Sequence, residues 1–392
     1  MRNAEIVIIG GGVVGASVAF HLAERGVKDV LILEAEPVQG CGSTGAATGG
    51  IRSQFETEIN ILMSLYSLNF LKNCEFDCEY DPKGYLFFAT TDEQFEYLKQ
   101  NVARQKSLGV KDVETVDAKA VAEIVPGMNC DDIVGGSFGK QDGFINPLAL
   151  MRGFTKGALD RGAVIEFDKR VNGIGVESGR VRCVNVGEEI IECEAVVLCS
   201  GAVAKDLAAS SGIELPVEPQ RRQIVWARTR EPLPPDLPMV IDIGSGFHFR
   251  PARDFTNVAP NASHRNEIMF AYPDREEPSS RNTSFDEMFI DKVYDRARLR
   301  AGFLFESSVV REKCRAGLYE NTPDHHAIIG GCEIDGLYFA NGFSGHGVMH
   351  SPATGRALAE IILDGKASFL DVSCLSIDRF SKGGLLHETA FI

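Results

Sequence analysis

The chain has 392 residues, 44% hydrophobic and 24% charged, the composition of an ordinary globular protein. A net charge of −15 argues against nucleic acid as a partner, and no uncharged apolar run reaches the roughly 18 residues of a membrane span. Much of the excess among the 40 glycines falls in three clusters rather than in a linker, and the composition excludes disorder, collagen and coiled coil. From the N-terminus, residues 5–9 form a β-branched apolar run, the mark of a strand buried on both faces. Residues 10–15 turn it into a helix that stops near Gly26, and residues 30–33 form a second buried strand ending at Glu34. This order makes a right-handed parallel βαβ unit. A small-residue loop at 40–50 precedes a helix from about Glu56 through Phe70. Residues 84–90 read as a strand, and 92–108 as a helix capped by Thr91 or Asp92. Residues 142–147 read as a turn opening another helix, with Pro147 in its first turn. Short strands at 163–167, 171–176 and 180–186 lead to a third core strand at 195–199, which ends at Ser200-Gly201-Ala202. Proline, arginine and short alternating runs from Pro216 through Phe270 predict an antiparallel sheet. Residues 284–305 look helical, and 336–340 form a last core strand. The glycine cluster 342–347 then opens a helix that ends near Asp364.

Ten cysteines are scattered, several in strand-like runs such as Val197-Leu198-Cys199, as expected of free thiols in a reducing compartment. Cys74 and Cys78 are the nearest pair; no second pair completes a zinc site, so no metal is expected. The apolar N-terminus breaks at Gly10-Gly11-Gly12 without a signal-peptide cleavage pattern, which predicts a cytoplasmic location.

Gly10-x-Gly12-x-x-Gly15 lies between a strand and a helix, with Glu34 at the end of the second strand. Gly10 permits the tight turn, Gly12 lets a pyrophosphate approach the backbone, and Gly15 brings helix and strand together. Glu34 can accept hydrogen bonds from a ribose diol. NAD and FAD both use this arrangement. The second cluster, Cys41 through Arg52, offers small residues where an extended FAD would run past its pyrophosphate.

Four segments, 6–15 with Glu34, 42–52, 317–324 (Gly-Leu-Tyr-Glu-Asn-Thr-Pro-Asp) and 342–355, resemble those of the D-amino-acid-oxidase superfamily of FAD-dependent oxidoreductases. The resemblance is to its sarcosine oxidase and dimethylglycine dehydrogenase-like branch. It implies an α/β fold: an FAD-binding Rossmann-like βαβ domain and a second domain on a mixed, largely antiparallel sheet. Residues 1–84, 146–217 and 322–392 would form the first domain, discontinuously, and 85–145 and 218–321 the substrate domain. Carried over position by position, Gly10, Gly12, Val14, Gly15, Glu34 and Ala35 would hold the ADP half of FAD. Ser43, Thr44, Thr48, Gly49 and Gly50 would line the ribityl chain and flavin. Val171 would meet the adenine, Ser200-Gly201 would lie beside the cofactor, and Gly345, His346, Gly347, Val348 and Met349 would meet the flavin's pyrimidine edge. There a glycine loop feeding a helix N-terminus aims backbone N–H groups at the negative charge that a reduced flavin gains.

Arg52 aligns with an active-site arginine, and its fork can hold an amino-acid carboxylate with two bonds; the bland alternative is an ion pair with Glu56 or Glu58. Tyr319 stands where sarcosine-oxidase-like members carry tyrosine. His248 and Arg250 share a face of a strand expected to roof the site, where either could recognise a polar substrate tail or face solvent. His346 could donate to the flavin or cap the helix. His325-His326 looks like a metal pair, but adjacent residues on a strand point oppositely, so a structural role is expected. Three positions depart from the family pattern. Gly317 replaces the cysteine of covalent-flavin members, so FAD is expected to bind noncovalently. Met349 and Met269 replace lysines tied to the substrate carboxylate and to oxygen.

The expected function is FAD-dependent oxidation of the C–N bond of a secondary or N-substituted amino acid. The partners expected are an amino-acid-like small molecule and an electron acceptor, which is oxygen, a quinone or a redox protein; a homo-oligomer is left open. Two rivals stand beside this reading: an FAD-dependent 2-hydroxyacid dehydrogenase, and a low-turnover FAD-binding assembly factor.

Overall fold

The computed structural model describes residues 2–252 and 266–388. Its first sheet runs Ile328–Gly331, Leu337–Asn341, Glu189–Leu198, Arg2–Ile9, Val30–Leu33 and Val164–Glu166. From Leu337–Asn341 to Val164–Glu166 each neighbour is parallel, as the opening βαβ unit requires. Val171–Glu177 and Arg180–Val186 extend the sheet as antiparallel strands.

Period-two alternation decides what each face of this sheet meets. Ile6 and Ile8 join a core under the helices Val13–Glu24, Glu58–Asn73, Pro147–Leu159 and Gly347–Asp364. Val7 and Ile9 join a second core with Val171, Ile174, Leu207 and Ile213 on the opposite face. Both faces are thus covered where the strands run through the middle of the layer, which is why the stretches 6–9, 30–33 and 195–198 are apolar throughout.

The second sheet runs Ser308–Val309, Glu218–Arg228, Glu267–Ala271, His248–Pro251, Met239–Asp242, Tyr85–Ala89, Gly135–Gly139 and Val113–Asp117, with Arg315–Asn321 also paired to Glu218–Arg228. Among the described residues its pairs are antiparallel except Met239–Asp242 with Tyr85–Ala89, so the sheet is mixed and largely antiparallel as expected.

Local differences from the sequence reading have physical causes. The expected loop at 40–50 contains a short helix, Ser43–Ala46, and the strand Gly50–Ile51, which pairs with Gly143–Phe144. The helix expected over 284–305 starts at Met288 and is interrupted at Ala301, an extended residue bridged to Met128. The helix expected from Glu56 begins at Glu58, because the Glu388 carboxylate accepts the amides of Glu56 and Thr57 at 2.9 and 3.1 Å. Thr91 caps the helix Asp92–Ser107 by accepting from the amide of Gln94, a bond worth about 1 kcal/mol. The part of the antiparallel run at 253–265 lies outside the described residues. No described helix is long and apolar enough to cross a membrane.

Candidate functional site

A cavity of about 660 Å³ is walled by residues of both large sheets. All the residues assigned above to the cofactor line it except Gly15, and Arg52, Tyr319, His248 and His346 line it too. Gly15 acts through packing: a Cβ there would stand 2.0 Å from the Gly10 carbonyl oxygen, so only glycine lets the helix close on the strand.

The cavity wall carries the donors and acceptors that an extended dinucleotide needs. The helix Val13–Glu24 opens at Gly12, which has no side chain to cap it; Thr44 Oγ1 accepts the Val13 amide at 3.1 Å, and the N-terminus with its positive dipole end suits an anion. Glu34 accepts from the Gly11 amide at 2.9 Å and from the Glu36 amide at 3.0 Å, one bond on each oxygen. Each oxygen keeps a lone pair for a ribose hydroxyl. At the other end the helix Gly347–Asp364 also lacks a side-chain cap, and Gly347, Val348 and Met349 line the cavity. The loop before it is shaped by Gly345, at φ 96°, where a Cβ would stand 2.4 Å from the Tyr319 ring. Two helix N-termini, a carboxylate with lone pairs to spare at Glu34 and a small-residue wall fit FAD. Gly317 on that wall has no side chain to form a flavin bond. The nearby Cys314 Sγ lies 3.8 Å from the Trp226 carbonyl and 3.6 Å from that of Val310, and does not line the cavity.

Arg52 is buried, 3% exposed, at the end of the short strand Gly50–Ile51. Its guanidinium stands 3.9 Å from the Phe55 ring centroid, Nη1 donates to the Gln54 carbonyl at 2.5 Å, and Nη2 reaches His346 Nε2 at 3.4 Å. The backbone beneath is pinned by Asp142, which accepts from Ser53 N, Ser53 Oγ and Gln54 Nε2 at 2.8, 2.9 and 3.0 Å. Burial raises the Asp142 pKa to about 6, against these hydrogen bonds and the Arg52 charge.

His346 neither caps the helix nor stands alone: its ring lies edge-on to Phe55 at 5.0 Å and its Nε2 receives Arg52. Burial, then the Arg52 charge, lowers its pKa far below the ordinary range, so it is a neutral acceptor that orients the guanidinium. His248 donates from Nδ1 to the Gly246 carbonyl at 2.9 Å and is likewise held neutral, first by burial. Its strand is central in the second sheet, so it does not form a solvent-facing edge. Arg250 does not line the cavity; it donates to the Thr48 and Pro251 carbonyls and stacks 4.5 Å from the Phe144 ring. Tyr319 remains a phenol because burial raises its pKa.

His325 and His326 lie on a turn, and the strand expected there is absent. His326 keeps the structural role foreseen for it: Nδ1 donates to the Asp324 carbonyl at 2.7 Å and Nε2 lies 3.0 Å from Thr57 Oγ1. No cluster of three metal-ligating side chains occurs among the described residues. Met269 is buried, and its sulfur lies 3.7 Å from Arg315 Nη2, so positive charge stands beside that position although the lysine is missing.

The sequence reading missed Tyr85, Arg222 and Glu320, all on the cavity wall. Glu320 directly follows Tyr319, yet alternation along a strand would turn it away from the site. It takes the backbone amides of Gly342 and Phe343, while its shielded Oε2 has no hydrogen-bond partner among the described residues. Burial raises its pKa from 4.5 to about 7. The folded state therefore holds this proton more tightly than the unfolded chain, and the apoprotein should lose stability as pH rises from about 4.5 through about 7. In thermal melts, Glu320→Gln should match the wild type near pH 4.5 and exceed it increasingly up to pH 8. Parallel curves for the two proteins would contradict the assignment.

The fold and cavity define a dinucleotide-dependent oxidoreductase. The chain belongs to the DAO family of FAD-dependent oxidoreductases, whose model matches residues 5–361. It is 32% identical to FAD-dependent oxidoreductase domain-containing protein 1 of Xenopus laevis, over 97% of this chain and 83% of that protein. Human mitochondrial dimethylglycine dehydrogenase is 25% identical over 97% of this chain but 45% of its own length. The crystal structure of L-proline dehydrogenase from P. horikoshii superposes with a TM-score of 0.88 at 29% identity, covering 98% of this chain and 100% of that one.

Proposed function

We propose that the protein oxidises the C–N bond of a secondary or N-substituted amino acid, with FAD bound noncovalently. The observation that carries this reading is the buried Arg52 fork, held by Phe55, Gln54 and His346, in the same cavity as the dinucleotide cradle. FAD when bound supplies the two-electron acceptor for a hydride from the substrate's α-carbon. Arg52 binds the carboxylate with two charge-assisted bonds and so fixes that carbon's position. Its charge, together with a neutral His248, favours the uncharged amine, the form able to release hydride. Tyr319 presents an O–H donor on the same wall. The names of two relatives, dimethylglycine dehydrogenase and L-proline dehydrogenase, support a substituted amine as the oxidised group.

The test is steady-state oxidation of N-methyl amino acids and proline against 2-hydroxyacids, read with a redox dye and by peroxide. The amines should turn over and release a 2-oxoacid once water hydrolyses the imine product. Dye reduction by hydroxyacids alone would transfer the reading to a hydroxyacid dehydrogenase.

A further inference from the structure

The cavity contains a second guanidinium, Arg222, that the mechanism above does not use. It projects from the strand Glu218–Arg228, opposite Gly317 in the ladder, and stands 5.3 Å from the Tyr319 ring centroid. Nη1 donates to the Arg221 carbonyl at 3.1 Å. Nε is shielded from solvent and has no acceptor, and Nη2 makes no hydrogen bond among the described residues. Those two nitrogens form the side-on edge with which arginine grips a carboxylate.

Its neighbours show what a satisfied edge looks like. Arg221 gives Nε and Nη2 to Glu277 at 2.9 and 3.1 Å, and Arg315 gives the same pair to the carbonyls of Ala46 and Ala47 at 3.2 Å each. No carboxylate among the described residues comes within ion-pair distance of Arg222. The two acids that attract it from further away are already engaged, Glu277 by Arg221 and Asp274 by Lys292 at 2.6 Å. A half-buried cation with an open fork is costly to keep in an empty site and gains most from an anionic ligand. Around it the wall is largely uncharged, with Ile224, Ala271, Tyr272 and Pro273, and the charges of Arg222 and Arg52 both act on Tyr319.

We infer that Arg222 is a second carboxylate subsite, so that the preferred substrate is an N-substituted amino acid carrying a second acid group. The inference rests on the proposed function, with Arg52 holding one carboxylate and Arg222 the other. It is tested on the holoenzyme with sulfur analogues that lack the oxidisable amine, by following the flavin's visible spectrum. (Methylthio)acetate carries one carboxylate; thiodiacetate and 3-(carboxymethylthio)propanoate carry two. One of the dicarboxylates should bind at least about tenfold more tightly than (methylthio)acetate, a gap of about 1.4 kcal/mol. Arg222→Met should erase that preference, and Arg222→Lys, which keeps the charge and loses the fork, should retain part of it. Equal binding of all three by the wild type overturns the inference without needing any variant, as does a preference that survives in Arg222→Met. An equal loss for mono- and dicarboxylates in Arg222→Met also overturns it, since Arg222 would then serve the flavin. A wild type that binds none of the three overturns the Arg52 reading as well, so the two failures are distinguishable.

Discussion

Replacing Gly12 with Asp should give a folded protein that purifies colourless. Gly12 is the N-cap of the helix Val13–Glu24, with φ −66° and ψ −179°, a backbone that any residue adopts. A Cβ there would meet only Thr44 Oγ1, at 3.2 Å. Aspartate is a preferred N-cap residue, so the apoprotein should keep its melting temperature or gain a few tenths of a kcal/mol. The new carboxylate would stand at the helix N-terminus, the place expected for the pyrophosphate. Two like charges about 4 Å apart near a protein surface cost about 4 kcal/mol, which weakens FAD binding about a thousandfold. Gly10 differs: at φ 107°, with a Cβ placed 2.4 Å from the Cys199 carbonyl oxygen, Gly10→Ala should fail to fold. FAD titration and thermal melts of the apoproteins separate the two effects. A yellow Gly12→Asp with native affinity would remove the pyrophosphate from this helix.

Arg52→Gln should retain FAD and lose substrate oxidation. In the proposed function Arg52 holds the substrate carboxylate with two charge-assisted bonds, and their loss should lower kcat/KM about 100- to 1,000-fold, or about 3–4 kcal/mol. Arg52→Lys keeps the charge without the planar fork that lies on Phe55, donates to Gln54 and meets His346, so it should remain at least about tenfold impaired. The effect should be large for amino acids and small for reduction by dithionite, which needs no carboxylate clamp. Rapid-mixing measurements of both reductions check this.

The cradle was legible in the sequence because it is local: a β-branched run, three glycines and an acid within about thirty residues encode strand, turn, helix and the carboxylate that ends the second strand. The order of strands within the sheets was not, since pairing such as Glu189–Leu198 against Arg2–Ile9 joins segments far apart in the chain. The support of Arg52 was hidden for the same reason. Asp142, His346 and Phe87 approach it from distant segments, and its neighbours in sequence gave only the carbonyl of Gln54 and the ring of Phe55. Arg222 and Glu320 were missed because strand alternation does not say which face of a curved sheet looks into the cavity, nor which polar group lacks a partner. Arg221 and Arg222 are adjacent and chemically identical. Only the fold shows that Glu277 satisfies one of them.

The most direct test is anaerobic mixing of the FAD-loaded protein with N-methyl amino acids, proline and 2-hydroxyacids while its yellow absorption band is recorded. The band should bleach with the substituted amino acids, fastest with those bearing a second carboxylate, and at least 100-fold more slowly in Arg52→Gln, as the loss of a bidentate clamp implies. A band that dithionite abolishes but no amine alters would contradict the account.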